Sequence, residues 1–367
     1  MPNLLKINAS HRRLLMEIRR EQPVSRAELS RLTGINTGPV TQLTRDLLLA
    51  GLVTEGERLK GQRGQPALPL SINPGGGLSF GVGLTPGAVH MVAIDFTGSV
   101  VDEARAPLQE NQPEAVIQIV QGHIDKMVRK ARLIERERIL GVGFAMPGFF
   151  FSDPSRMRMV EDYGEWRRHE LTPMFARLLD LPVWMENDAT AAALAQAYAE
   201  ETKQARCLAL LLINYGIGGG IIVEGRPLRG AHGNAGEIGT YYPLDQPRPS
   251  GSDLLRALRQ AGVEVDALAC IDPADPRCAE PINRWTKRAG KQLAAVVEAA
   301  WGWLDPDMIV VAGALPLQTA QALADSIPRE LFNRHPERPR PAIVPSSIGE
   351  NIVAIGAAHL PLHAAVT

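Results

Sequence analysis

The chain is poor in cysteine, in aromatic residues and in long apolar runs. Its 367 residues hold three cysteines, Cys207, Cys270 and Cys278, and only 5% aromatics. Three scattered cysteines exclude a disulfide framework of the kind small secreted domains use. The longest apolar runs, Cys207–Ile213 and Met308–Leu315, fall far short of the ~20 residues that a membrane span needs. The opening MPNLLKINASHRR has no continuous apolar core, so no secretory signal is expected. The expectation is a soluble, cytoplasmic protein with no membrane partner. Net charge is also slight: 39 Lys and Arg against 40 Asp and Glu give −1, which alone favours no partner.

What is present is 45% hydrophobic and 22% charged sequence. That excludes a disordered or collagen-like chain, and the length allows two or three domains with cores of their own. The charge is unevenly spread. Residues 1–66 carry 11 Lys and Arg against 6 Asp and Glu, net +5, which leaves 28 against 34, net −6, for the remainder. A basic head on an acidic body is what a DNA-binding module joined to a sensor or enzyme domain shows.

Three short helical patterns occupy the head. Asn8 to Arg20 places Leu14, Leu15 and Ile18 on one face. The second helix opens at Ser25 with Glu28 three residues on, a capping box, and ends at Gly34, where a tight turn needs φ > 0. Asn36 is placed to cap the third, in which Val40, Leu43 and Leu47 recur at i, i+3, i+7. Its other face carries Thr37, Thr41, Gln42 and Arg45, groups able to read base edges and phosphates. Leu52-Val53 and Leu68–Leu70 read as two short strands around the polar tip Glu57–Gln65. Three helices and a hairpin make a winged helix-turn-helix; a small helical docking domain is the alternative. Ser25 and Arg26 join the residues expected to meet DNA. Arg63, in the basic glycine-rich segment Lys60–Pro66, is expected at a minor groove, or else simply on a flexible tip.

From Leu78 onward strand-like and helix-like stretches alternate, which predicts an α/β body. Strands are expected at Leu78–Leu84, Val89–Phe96, Ile139–Ala145, Pro182–Met185, Cys207–Ile213, Gly220–Glu224 and Met308–Ala312. Helices are expected at Pro113–Leu133, Ala189–Glu200 and Pro281–Leu304. Glu186-Asn187-Asp188 falls at a strand end and a helix start, where polar side chains project into a cleft. A carboxylate and an amide there can bind adjacent sugar hydroxyls, or Asn187 or Asp188 can merely cap the helix. Gly216–Gly220 reads as a turn whose amides could cradle a phosphate, or as a plain hairpin turn.

At these stretches the chain resembles the ROK family of repressors and sugar kinases. The residues that carry the resemblance are Gly141–Gly148 (GVGFAMPG), Glu186–Ala189 (ENDA), Gly216–Gly220 (GIGGG), Gly230–Gly239 (GAHGNAGEIG) and Asp305–Gly313 (DPDMIVVAG). Five such motifs in the family's order, behind a helix-turn-helix, cover nearly the whole chain. The resemblance implies a two-lobed actin-like, sugar-kinase (ribonuclease H-like) fold behind the winged head. The expected layout is 1–66 for the DNA-binding head, 67–77 for a linker, 78–184 with 351–367 for a small lobe, and 185–350 for a large lobe. It also implies a sugar site at Asn187, Asp188 and Glu237, with Pro147, Gly148 and His232 beside it.

Departures from the family choose between its branches. Gly83 stands where the kinases' phosphate-motif aspartate belongs and Gly87 where the threonine belongs. Neither can supply the metal contacts and donors that hold phosphates in line, and Asn214-Tyr215 adds bulk before Gly216. Thr240 stands where family members commonly have a zinc-binding histidine, and Tyr241–Ser252 has no cysteine, so neither a structural zinc nor any cofactor is expected. The resemblance therefore implies a transcriptional regulator, a homodimer or dimer of dimers that binds a double-stranded DNA operator. A sugar or sugar phosphate between the lobes would control it. The alternatives are a sugar kinase with a fused DNA-binding head and an effector-independent DNA-binding protein.

Overall fold

The computed structural model describes residues 7–57, 68–110, 112–130, 136–151, 157–159, 166 and 169–367. Three helices open the chain: α1 (Ala9–Glu21), α2 (Arg26–Thr33) and α3 (Thr37–Leu49), followed by an antiparallel pair, β1 (Val53–Glu55) and β2 (Leu70–Ile72). The helix boundaries have local causes. At α1 the Asn8 side chain accepts from the His11 N–H and the His11 ring answers to the Asn8 N–H, a reciprocal capping box. Ser25 caps α2 through the Glu28 N–H, and Gly34 ends it at φ +67. The Glu28 carboxylate pairs with Arg31 at 3.1 Å and does not complete a box. Asn36 precedes α3 but makes no side-chain cap bond.

The stretch expected as a linker is built into the fold. β2 lies within it, and the Asn73 side chain donates to the Gly51 carbonyl at 2.6 Å while accepting from the Gly75 N–H. Leu14, Leu15, Ile18, Val40 and Leu47 of the helices share one apolar core with Ile94, Phe96, Leu362 and Val366 of the body. Head and body are thus held by buried apolar surface, which stabilises at roughly 25 cal/mol per Å².

The body contains two five-stranded sheets of like pattern. The first has the order β5-β4-β3-β6-β9. Its members are β3 (Leu78–Thr85), β4 (Ala88–Asp95), β5 (Val100–Pro107), β6 (Ile139–Met146) and β9 (Val183–Asn187). β3, β4 and β5 form an antiparallel meander; β6 and β9 add parallel to β3. Helices α4 (Pro113–Lys130) and α5 (Leu171–Leu179) and a short pair, β7 (Gly148–Phe150) and β8 (Met157–Met159), belong to this half. The sequence-based boundary between 184 and 185 falls inside β9.

α6 (Asp188–Tyr198) leads to the second sheet, ordered β12-β11-β10-β13-β14. It comprises β10 (Cys207–Ile213), β11 (Ile217–Val223), β12 (Arg226–Pro227), β13 (Met308–Gly313) and β14 (Ala342–Pro345). β10 and β11 are antiparallel; β13 and β14 run parallel to β10. α7 (Gly251–Gln260), α8 (Pro276–Leu304) and α9 (Leu317–Ser326) contribute to the apolar core on one face. α6 and the last helix, α10 (Ile352–Val366), pack with residues of both sheets in a separate, alanine-rich core. Their approach is close: a Cβ on Gly356 would stand 1.8 Å from the Ala191 carbonyl oxygen. No helix among the described residues is long and apolar enough to cross a membrane.

Gly218–Gly220 is not a phosphate-cradling turn but part of β11, paired with Leu210–Leu212 of β10. The glycines are there for packing. A Cβ on Gly220 would lie 2.4 Å from the Ala189 carbonyl oxygen, and one on Gly219 would lie 2.8 Å from that of Gly236. Any side chain would push α6 and the following loop off the sheet.

Candidate functional site

The parallel strands β6 and β9 end side by side, with Met146 in register with Asn187. Chain reversal after β6 leaves Gly148 beside the start of α6, and Asn187 ties the two together. Its Nδ2 donates to the Gly148 carbonyl at 2.8 Å and lies 3.4 Å from the Glu237 carboxylate, while Oδ1 accepts from the Ala189 and Thr190 N–H groups at 2.8 and 3.1 Å. Asn187 thus caps α6, the second of its two sequence-level readings, and joins that helix start to Gly148 and Glu237.

Three carboxylates surround that amide. Glu186 is buried, with one oxygen accepting from the Asn187 N–H at 2.9 Å and the other 2.8 Å from the half-exposed Arg229 guanidinium. Burial pushes the Glu186 pKa up, and Arg229 pulls it back. Asp188 is raised to about 6, chiefly by burial, against hydrogen bonds from the Ala189 N–H and its own. Glu237 is raised to about 7, first by burial and then by the Asp188 charge.

The loop bearing Glu237 is held by a residue that the sequence reading had not singled out. Asn234 accepts from the Phe150 N–H and donates to the Phe150 carbonyl, both at 2.8 Å, an added rung on β7. Gly236, at φ +94, passes so near β11 that a Cβ would lie 2.3 Å from the Gly219 carbonyl oxygen. The signal for both was their place inside the Gly230–Gly239 motif; Arg229, just outside it, gave none. Asn187, Asp188, Glu237 and Gly148 are thus brought together, whereas His232 is exposed on the loop.

The position expected for a kinase's phosphates is nearly filled. Gly83, Thr85, His90, Arg105, Asp188 and Tyr215 are among the residues lining a cleft of about 30 Å³, room for a water molecule or two. Thr85 and His90 are bonded at 3.0 Å, and the other His90 nitrogen lies 3.2 Å from Asn351. At the position where family members commonly have a zinc-binding histidine, the exposed Thr240 donates its hydroxyl to the Glu237 carbonyl at 2.8 Å.

On the head, Thr37, Thr41, Gln42 and Arg45 all lie on the exposed side of α3, opposite the buried Val40, Thr44 and Leu47. Thr41 donates back to the Thr37 carbonyl and Gln42 to Asp46. Arg26 is placed differently: its guanidinium bonds Thr44 at 2.9 Å and Glu55 at 2.6 Å, tying α2 to α3 and β1. Ser25 is engaged as the α2 cap. Arg63 lies outside the described residues.

The sequence signature of the ROK family matches residues 81–364, and the chain belongs to that family. It is 32% identical to the uncharacterized protein y4fQ of Sinorhizobium fredii over 98% of this chain and 92% of that one. It is 24% identical to a xylose repressor of Bacillus spizizenii over 94% and 92% of the two chains. Among solved structures, a ROK family transcriptional regulator, a homolog of the Escherichia coli MLC protein, matches with a TM-score of 0.71 at 21% identity, covering 97% and 96%. A ROK glucokinase from Streptomyces griseus in complex with glucose and AMPPNP matches with 0.61 at 20% identity, covering 77% of this chain and 99% of its own. The fold of the body is thus the actin-like, sugar-kinase type.

Proposed function

We propose that the chain is a transcriptional repressor of carbohydrate transport or catabolism genes, released or engaged by a sugar or sugar phosphate. The observation that carries this reading is the exposed face of α3, where Thr37, Thr41, Gln42 and Arg45 stand on a head with five excess positive charges. On this reading α1, α2 and α3 with the pair β1 and β2 form a winged helix-turn-helix. α3 enters a major groove, and a homodimer presents two such heads to a pseudo-palindromic operator. Repressors among the chain's relatives support the assignment.

In the cleft, Asp188 and Glu237 accept hydrogen bonds from sugar hydroxyls, and Asn187 positions them. The Asn187 amide is already engaged with Gly148 and Glu237, so its role is to hold the start of α6 against β7. The reading assigns no phosphoryl transfer, because Gly83 and Gly87 offer no side chain and the neighbouring cleft is nearly filled.

Fluorescence anisotropy on the DNA upstream of the chain's own gene tests this, at stated salt, with scrambled DNA as control and a panel of sugars and sugar phosphates. Specific binding that one of them alters is the expected result. Equal affinity for scrambled DNA overturns the reading. ATP turnover on a sugar, abolished by Asp188→Asn, restores the kinase alternative.

A further inference from the structure

α6 has two ends with different neighbours. At its start stand Asn187 and Asp188, in the candidate sugar site. At its last residue the Tyr198 ring lies under the Arg19 guanidinium of α1, 5.5 Å from the ring centroid. Arg19 belongs to the head, and two parts of the body grip it. Its Nη1 donates to the Thr97 carbonyl at 2.7 Å and its Nη2 to the Phe96 carbonyl at 2.6 Å, both just after β4, while Tyr198 supplies the other jaw. One jaw thus follows directly on β4 of the first sheet, and the other is the last residue of α6.

The helix between is suited to carry a displacement. Ala189 and Ala191–Ala195 are buried, Ala191 against Gly356 of α10, so its eleven residues span about 16 Å with little slack. Tyr198 is steadied in turn by its hydroxyl, 3.2 Å from His363, and by its ring, 4.3 Å from that of His359.

We infer that α6 couples the occupancy of the sugar site to the DNA-binding head, with Tyr198 and Arg19 as the positioning residues at the head end. The inference rests on the sugar-responsive reading above for its ligand, but the mechanical link can be tested without it. A ligand drawing Asp188 toward Glu237 shifts α6, which packs on β11, relative to the first sheet, and the two jaws on Arg19 then no longer match. The head has a different resting orientation for each state of the site.

Two measurements on the full chain decide the matter. In the first, operator affinity is titrated with and without the active sugar. Wild type should respond by about 5–150-fold. Tyr198→Leu, and Arg19→Lys, which keeps the charge and loses the fork, should bind sugar within about twofold of wild type yet respond by less than about twofold. Tyr198→Phe, which loses only the hydroxyl bond, should keep the response. A full response in both Tyr198→Leu and Arg19→Lys overturns the inference.

If no sugar changes the wild-type affinity, the regulatory reading fails, and the coupling is decided by amide hydrogen exchange. Asn187→Ala, which uncaps α6, should speed exchange in α1 by about tenfold, an increase that disappears when Asn187→Ala is made in the Tyr198→Leu background. Unchanged exchange in α1 overturns the inference by this route also. Thermal melts of each variant identify any that fails to fold, and the remaining one of the pair then decides.

Discussion

Asn187 donates from Nδ2 to the carbonyl of Gly148 at 2.8 Å, and the same side chain caps α6 through Oδ1. One amide thereby links the end of the first sheet to the helix that leads into the second. Asn187→Ala removes the cap and leaves the Gly148 carbonyl without its donor. The expected loss is about 1–3 kcal/mol of stability, the sum of a lost cap and an unpaired acceptor, seen as a lower unfolding temperature. Asn187→Asp keeps an acceptor for the cap but adds a carboxylate beside Glu237. It should melt closer to wild type and lose sugar binding as fully as Asn187→Ala, a split that calorimetric titration reads.

Glu237 and Asp188, raised to about 7 and about 6, make the cleft pH-sensitive. Each binds its proton more tightly in the folded chain than in the unfolded one. Their contribution to stability is therefore fully present below the ordinary carboxylate range and is lost as pH rises through about 6 and about 7. The unfolding temperature should fall between pH 5 and pH 8 more steeply in wild type than in Glu237→Gln, as differential scanning calorimetry would record at about those two pH values. Sugar affinity should change in the opposite sense, rising with pH as the carboxylates become pure acceptors.

The arginines of the head separate by role. Arg45, exposed on α3, should cost about 1–3 kcal/mol of operator binding when changed to alanine, with little effect on the melt. Arg26, bonded to Thr44 and Glu55, should do the reverse: Arg26→Ala lowers the stability of the head first. Anisotropy and thermal unfolding, run on both variants, would exchange these outcomes if the roles were swapped.

Gly356 permits the contact between α10 and α6, a Cβ there falling 1.8 Å from the Ala191 carbonyl oxygen. Gly356→Ala should destabilise the chain by about 3 kcal/mol, the upper end of overpacking costs, since backbone on both sides must move. A melt within a degree or so of wild type would mean that the two helices are not packed as described.

Much of this architecture was legible beforehand, for identifiable reasons. Cys207–Ile213 is an unbroken apolar run and became β10, a central strand buried on both faces. Ser25 and Gly34 bound α2 as a cap and a left-handed turn do. β5 went unseen because an edge strand reading VVDEARAP carries too few apolar residues to show a period of two. α10 went unseen for the opposite reason: IVAIGAAHLPLHAAV is buried almost all round, so no polar face marks it as a helix. Gly216–Gly220 reads as a turn, yet Gly218–Gly220 lie in β11, because a glycine run has the same local signature whether it bends or lets a helix approach.

By itself the sequence determined the three head helices, the strongly apolar strands, the family motifs from Gly141 to Gly313, the polar face of α3 and the missing phosphate and zinc side chains. These are matters of residue type and short spacing, which local periodicity and turn chemistry encode. The tertiary structure alone decided that the Asn187 amide meets Gly148 and Glu237. It also decided that Asn234 fastens the loop to Phe150 and that Arg19 is gripped between Phe96, Thr97 and Tyr198. Those partners are far apart along the chain. What brings them together is the close packing of two sheets around α6 and α10, a property of all the contacts at once that no single stretch of sequence contains.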